Sequence, residues 1–154
     1  KTSYKVIFHH FIAQPQMDDY LNSLIQEKKL QELVVISHDN LSDNEIKALY
    51  ELADLTFSVT TNDQLSRTIH ESILSDTNII LNDIEPHQYL KYFFNWNVNL
   101  VNVNDTLQLA KKIEYYINNK PKPDWKYERV FLEKIFKFED KKALIKEIYK
   151  NLLL

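Results

Sequence analysis

Two carboxylates and the short polar loop between them are the residues best placed to do chemistry in this chain. Asp63 and Glu71 stand with seven residues between them. The run before Asp63 reads as a strand and the run around Glu71 as a helix. Asp63 therefore falls in the loop leaving the strand, and Glu71 in the first turns of the helix. A carboxylate at that place can accept two hydrogen bonds from a ligand, while the helix N-terminus offers unpaired backbone N–H groups to an anion such as phosphate. An acid in a first helical turn is also favoured by the helix dipole whatever its function. The imidazoles supply a weaker signal. His9 and His10 end the first strand, so one faces each side of the sheet and they do not readily share an ion. His38 and His87 are the other imidazoles a zinc site would draw on. His70, one residue before Glu71, points elsewhere on the helix, toward packing or solvent.

Composition excludes more than it suggests. The chain of 154 residues contains no glycine, where average usage of about 7% would give roughly eleven. Lysine outnumbers arginine 17 to 2, with 14 Asn, 15 Ile and 5 Ala, the bias of an AT-rich genome. Without glycine there is no Walker-type phosphate loop, no dinucleotide fingerprint and no nucleophile elbow. Left-handed turn positions are expected to fall to Asn and Asp. The absence of cysteine removes disulfides, thiolate metal sites and cysteine nucleophiles. A net charge of −3 argues against nucleic acid as the main partner. No apolar run has the length of a membrane span, and a cytoplasmic location is the expectation.

The elements that must position these residues alternate from end to end. Strands are expected at Tyr4–Phe8, Leu33–Ser37, Leu55–Val59, Asn78–Leu81 and Val98–Val103, each followed by a helix. Ser42 and Glu45 form a capping box for the second helix, Pro86 suits the first turn of a short helix, and Asp105 caps the helix near Thr106–Asn118. The expected fold is α/β: a Rossmann-like three-layer α/β/α arrangement with a parallel sheet of about five strands buried on both faces. Residues 1–120 make that domain. Residues 121–154 form a helical extension, with helices near Lys126–Ile135 and Glu139–Leu152. In such a sheet ligands bind beyond the carboxyl ends of the strands, which is where Asp63 lies. Tyr89, Tyr92, Phe93, Phe94 and Trp96 read mainly as core packing around a short helix.

The stretch from Ser42 to Asn119 resembles the C-terminal, nucleotide-sugar-binding domain of group 1 retaining glycosyltransferases of the GT-B fold. Asn44-Glu45-Ile46-Lys47-Ala48-Leu49-Tyr50 looks like the family's helix before its "AD-x-F" strand start, here Ala53-Asp54-Leu55-Thr56-Phe57. Asp63 and Glu71 match the family's E-x7-E pair. Glu71 to Ile80 is similar to the family's "EAMACGTPVI" segment, and Val98 to Asp105 to its "GLLVPPGD" strand and turn. Val130–Ile135 and the helix after it resemble the family's ending.

The resemblance implies a metal-independent hexosyltransferase working with retention on a nucleotide-sugar donor such as a UDP- or GDP-sugar. Glu71 would hold the ribose, and Asp63 would sit beside the donor sugar or the acceptor as the catalytic carboxylate. Gln64, Leu65 and Ser66 would present backbone N–H groups to the sugar and diphosphate, with Arg67 adding charge. The chain departs from the family pattern at several points. Aspartate replaces the first glutamate, Gln64 and Ser66 replace glycines, and the basic pair that grips the diphosphate has no match. The family's acceptor-binding N-terminal domain is not represented, and its sheet has six strands rather than five. These departures support an alternative, a catalytically inactive GT-B-like domain serving protein or glycan binding. A receiver-like signalling domain would need acids where His9 and His10 stand. The terminal lysine-rich amphipathic helix suits docking on its own or a partner domain, or peripheral contact with an anionic membrane.

Overall fold

The computed structural model describes residues 4–9, 15–63 and 65–136. These divide into two compact units, one up to Ile46 and one from Lys47.

In the first unit, β1 (Val6–His9) pairs in parallel with β2 (Val34–Ser37), Val6 opposite Val34 and His9 opposite Ser37. The chain between them forms α1 (Pro15–Glu27). Proline at the head of a helix loses nothing, since its missing N–H would have had no partner. The unit ends as α2 (Asp43–Leu52) begins. Ser42 and Glu45 make the expected capping box: the Glu45 carboxylate accepts from the Ser42 amide at 2.8 Å and from its hydroxyl at 2.6 Å. These donors hold the Glu45 carboxyl below its ordinary pKa.

The second unit is built on β3 (Leu55–Ser58), β4 (Asn78–Asn82) and β5 (Asn99–Val101), all parallel, with β4 in the middle. Period-two alternation sends β4 side chains to two different cores. Ile79 and Leu81 join Ile69 and Ile73 of α3 (Arg67–Leu74), together with Leu90, Trp96, Val98, Trp125 and Leu132. Ile80 and Val101 join Tyr116 of α5 (Thr106–Asn119), with Leu55, Phe57, Leu109 and Ile113 packed around them. Helices thus cover both faces of this sheet, and α6 (Lys126–Phe136) lies against α3. Trp125 anchors the approach to α6 by donating its indole N–H to the Thr77 carbonyl at 3.0 Å. At the other end of the sheet, α4 (Glu85–Gln88) opens with Pro86 in its first turn and runs into a π-helical turn, Tyr89–Phe93.

The single sheet of about five strands is not what forms: two strands pair in one sheet and three in another. Apolar sequence predicts that a strand is fit for burial but not which strand lies beside it. Burial on both faces holds for β4, whereas Ile7, Phe8 and Val35 of the first unit stay 48%, 37% and 45% exposed. The left-handed positions also differ from expectation. Asp76 and Asn95 take two of them, but Lys29, Leu65 and Lys120 occupy the others, with φ of 54°, 64° and 42°. With no glycine available, these larger side chains bear the steric cost of that conformation. The expected helix near Glu139–Leu152 lies outside the described residues. Among the described residues no helix is long and apolar enough to cross a membrane.

Candidate functional site

The carboxyl ends of β3, β4 and β5 meet around one side chain. Asn82, the last residue of β4, donates its amide nitrogen to the Thr60 carbonyl at 2.8 Å. Its amide oxygen accepts from the Val103 N–H at 3.2 Å. Both partners have fixed roles, so the orientation of the amide follows from them. The Asn82 backbone carbonyl accepts from His87 Nδ1 at 2.8 Å. One asparagine therefore ties the loop after β3, the exit of β5 and the start of α4 to the end of β4.

His87 carries the connection onward. Its ring is fully buried, and Nε2 lies 3.3 Å from Oδ2 of Asp63. The Ser58 hydroxyl donates to the same oxygen at 3.4 Å. A backbone carbonyl only accepts, so Nδ1 is the donor in the bond to Asn82. Asp63 is thus drawn inward, its side chain only 6% exposed. Burying a carboxylate is costly unless it is hydrogen-bonded, and His87 and Ser58 supply that compensation.

Glu71 lies on the second turn of α3, less buried than Asp63. It pairs with the Arg67 guanidinium four residues back, on the exposed side of the helix. The Tyr50 phenol sits against Thr68 and Glu71, and burial, ahead of the Glu71 charge, pushes its pKa above the ordinary value. Asp63 and Glu71 both act on His70, but burial dominates and lowers the His70 pKa. His70 is accordingly half-buried rather than a surface group.

The start of α3 separates the two acids. Leu65 is left-handed and exposed, in the segment where the glycosyltransferase pattern carries glycines. Ser66 stands at the N-cap but makes no side-chain cap bond, and its buried hydroxyl oxygen has no hydrogen-bond partner. The starts of α2 and α5 contrast with it, whereas α4 also begins without a side-chain cap. Ser42 and Glu45 cap α2, and the Asp105 carboxylate caps α5 by accepting from Gln108 N–H at 2.9 Å. The first turn of α3 holds no acid and begins with Arg67. Gln64, the remaining predicted site residue, lies outside the described residues.

The other expected groups fall elsewhere. In the first unit His9 Nδ1 is 3.2 Å from the Ser37 hydroxyl, which donates to Asp39 at 3.0 Å. His38 pairs with Asp18 at 3.4 Å. His10 lies outside the described residues. Among the described residues no three His, Cys, Asp or Glu are grouped to hold a metal ion. The aromatic run is less a core than expected. Leu90 and Trp96 are buried, but Tyr92 and Phe93 are each 74% exposed. Tyr89, Tyr92 and Phe93 line an open cavity of about 390 Å³ with Glu85 and Gln88.

Sequence reasoning placed Asp63 and Glu71 correctly on loop and helix but did not find the hub at Asn82 or the bond from His87 to Asp63. Partners 24 residues apart leave no local signal. The only hint was that both residues follow strand ends. No protein-family model matches the chain, and no curated protein matches it.

Proposed function

We propose that the unit from Lys47 is the donor-side domain of a GT-B-type retaining glycosyltransferase, binding a nucleotide sugar for transfer of a hexose. The start of α3 carries this reading. A helix N-terminus without a side-chain cap, headed by Arg67 and beside an unpartnered Ser66 hydroxyl, suits a diphosphate, whose negative charge would take the place of the cap. It stands at the carboxyl edge of a parallel sheet, where ligands of such sheets bind. Glu71, less than fully buried and one turn along, is positioned for the ribose hydroxyls.

Two observations favour a second reading, a GT-B-like domain that catalyses nothing and binds a protein or glycan. Asp63 is committed to His87 and Ser58, and the Leu65 side chain occupies the segment where backbone would approach a sugar.

A thermal-shift series with UDP, GDP, ADP and their sugar conjugates, on the wild type and Glu71→Ala, tests the proposal. A ligand at a hundred times its Kd stabilises the native state by about 2.7 kcal/mol. Stabilisation by one nucleotide, reduced in Glu71→Ala, supports the donor site. A folded wild type unmoved by every nucleotide refutes it. Binding without turnover, in the presence of an acceptor-binding domain and acceptor sugars, favours the non-catalytic reading.

A further inference from the structure

We propose that His87 is a positioning residue: it holds Asp63 inward so that the chain between β3 and α3 is clamped, and α3 starts at a fixed place and angle. The inference deepens the donor-site reading and rests on it for its functional consequence, though the clamp itself is tested separately.

The loop after β3 is secured at two points. Near its beginning, the Thr60 carbonyl is held by the Asn82 amide at 2.8 Å. Three residues later, the Asp63 carboxylate is held by His87 at 3.3 Å and by Ser58 at 3.4 Å. Both anchors lead back to Asn82, since His87 is itself fixed by its Nδ1 bond to the Asn82 carbonyl. Among the described residues the His87 ring is held by Asn82 on one nitrogen and by Asp63 on the other. An imidazole is the side chain that bridges a carbonyl and a carboxylate from opposite ends of one rigid ring. The residues beyond the clamp are those with the least local support: Leu65 is left-handed, and Ser66 does not cap the helix it precedes. Left-handed geometry at leucine is unfavourable by itself, so the surrounding bonds must impose it. Asp63 accordingly serves by its attachment to His87 and Ser58.

The test is amide hydrogen exchange, read residue by residue in the full chain for wild type, His87→Leu, His87→Gln and Asp63→Ala. His87→Leu keeps an apolar filling but donates nothing. It is expected to speed exchange at Ile69, whose N–H donates to the Ser66 carbonyl at 3.0 Å, by roughly tenfold, as the loss of one or two hydrogen bonds would, while Ile80 and Leu81 of β4 exchange as in wild type. The glutamine amide can still donate to Asp63, so His87→Gln is expected to recover much of the protection. Asp63→Ala leaves His87 in place and is expected to reproduce the local loosening even if His87→Leu does not fold. Uniform acceleration across β4 and the start of α3 would make His87 an ordinary core residue and overturn the proposal, as would unchanged exchange at Ile69. If the wild type binds a nucleotide, His87→Leu is expected to weaken it. Undiminished binding would refute the positioning role. A wild type that binds no nucleotide would sink the donor-site reading, while the exchange pattern would still decide the clamp.

Discussion

Replacing Asn82 by aspartate and by alanine separates the bonds that hold the carboxyl edge together. Asn82→Ala deletes the donor to Thr60 and the acceptor for Val103. At about 1 kcal/mol for each bond, the expected loss is about 2 kcal/mol. Asn82→Asp is nearly isosteric and keeps the acceptor for Val103, yet it should be worse. It sets an oxygen against the Thr60 carbonyl oxygen, where 2.8 Å now separates donor from acceptor. It also buries a charge at a position only 5% exposed. A lost bond together with a desolvated, repelled carboxylate costs about 3 kcal/mol or more. Protonation relieves that cost by restoring an O–H donor to Thr60. The introduced carboxyl therefore has a folded pKa raised above the ordinary value of about 3.9. The folded protein then binds more protons than the unfolded chain, so the variant regains stability as pH falls through the raised pKa. Urea unfolding followed by Trp96 and Trp125 emission, both buried in this unit, measures the difference between the two variants at pH 7.5 and pH 5. The reasoning fails if Asn82→Asp is no less stable than Asn82→Ala at pH 7.5, or if the gap does not narrow at pH 5.

Three further outcomes are expected. Trp125→Phe keeps most of the apolar area but leaves the Thr77 carbonyl without its indole donor, for a loss of about 1–2 kcal/mol in the same urea assay. His70 has a lowered pKa through burial. Its contribution is therefore present above the unfolded value of 6.5 and lost as pH falls through the lower folded value. His70→Gln should flatten the stability profile from pH 7 downward, and an unchanged slope would refute this assignment. The amides of β1 and β2, whose strands keep Ile7 and Val35 about half exposed, should exchange at least roughly tenfold faster than those of β4.

What the sequence alone determined is what neighbours along the chain can settle. The capping box of Ser42 and Glu45, Pro86 in a first turn and Asp105 at the head of α5 are bonds or constraints spanning a few residues, and each formed as read. The strand after which Asp63 falls, the strand that leads to Asn82, and the helix bearing Glu71 follow from apolar runs and periodicity in the same way. Tertiary structure decided the rest. Nothing local states that β4 is flanked by β3 and β5 while β1 pairs with β2 alone, because strand adjacency is chosen by long-range packing. Nothing local marks Tyr92 and Phe93 as exposed, because an aromatic ring suits a core or a surface cleft equally well until its neighbours are placed. Asp63 reads as a ligand-facing acid by position. Only the approach of His87, from beyond the end of the next strand, turns the carboxylate inward. A buried hydrogen bond depends on distance in space, and two groups separated by a strand and a helix meet only after the sheet has formed.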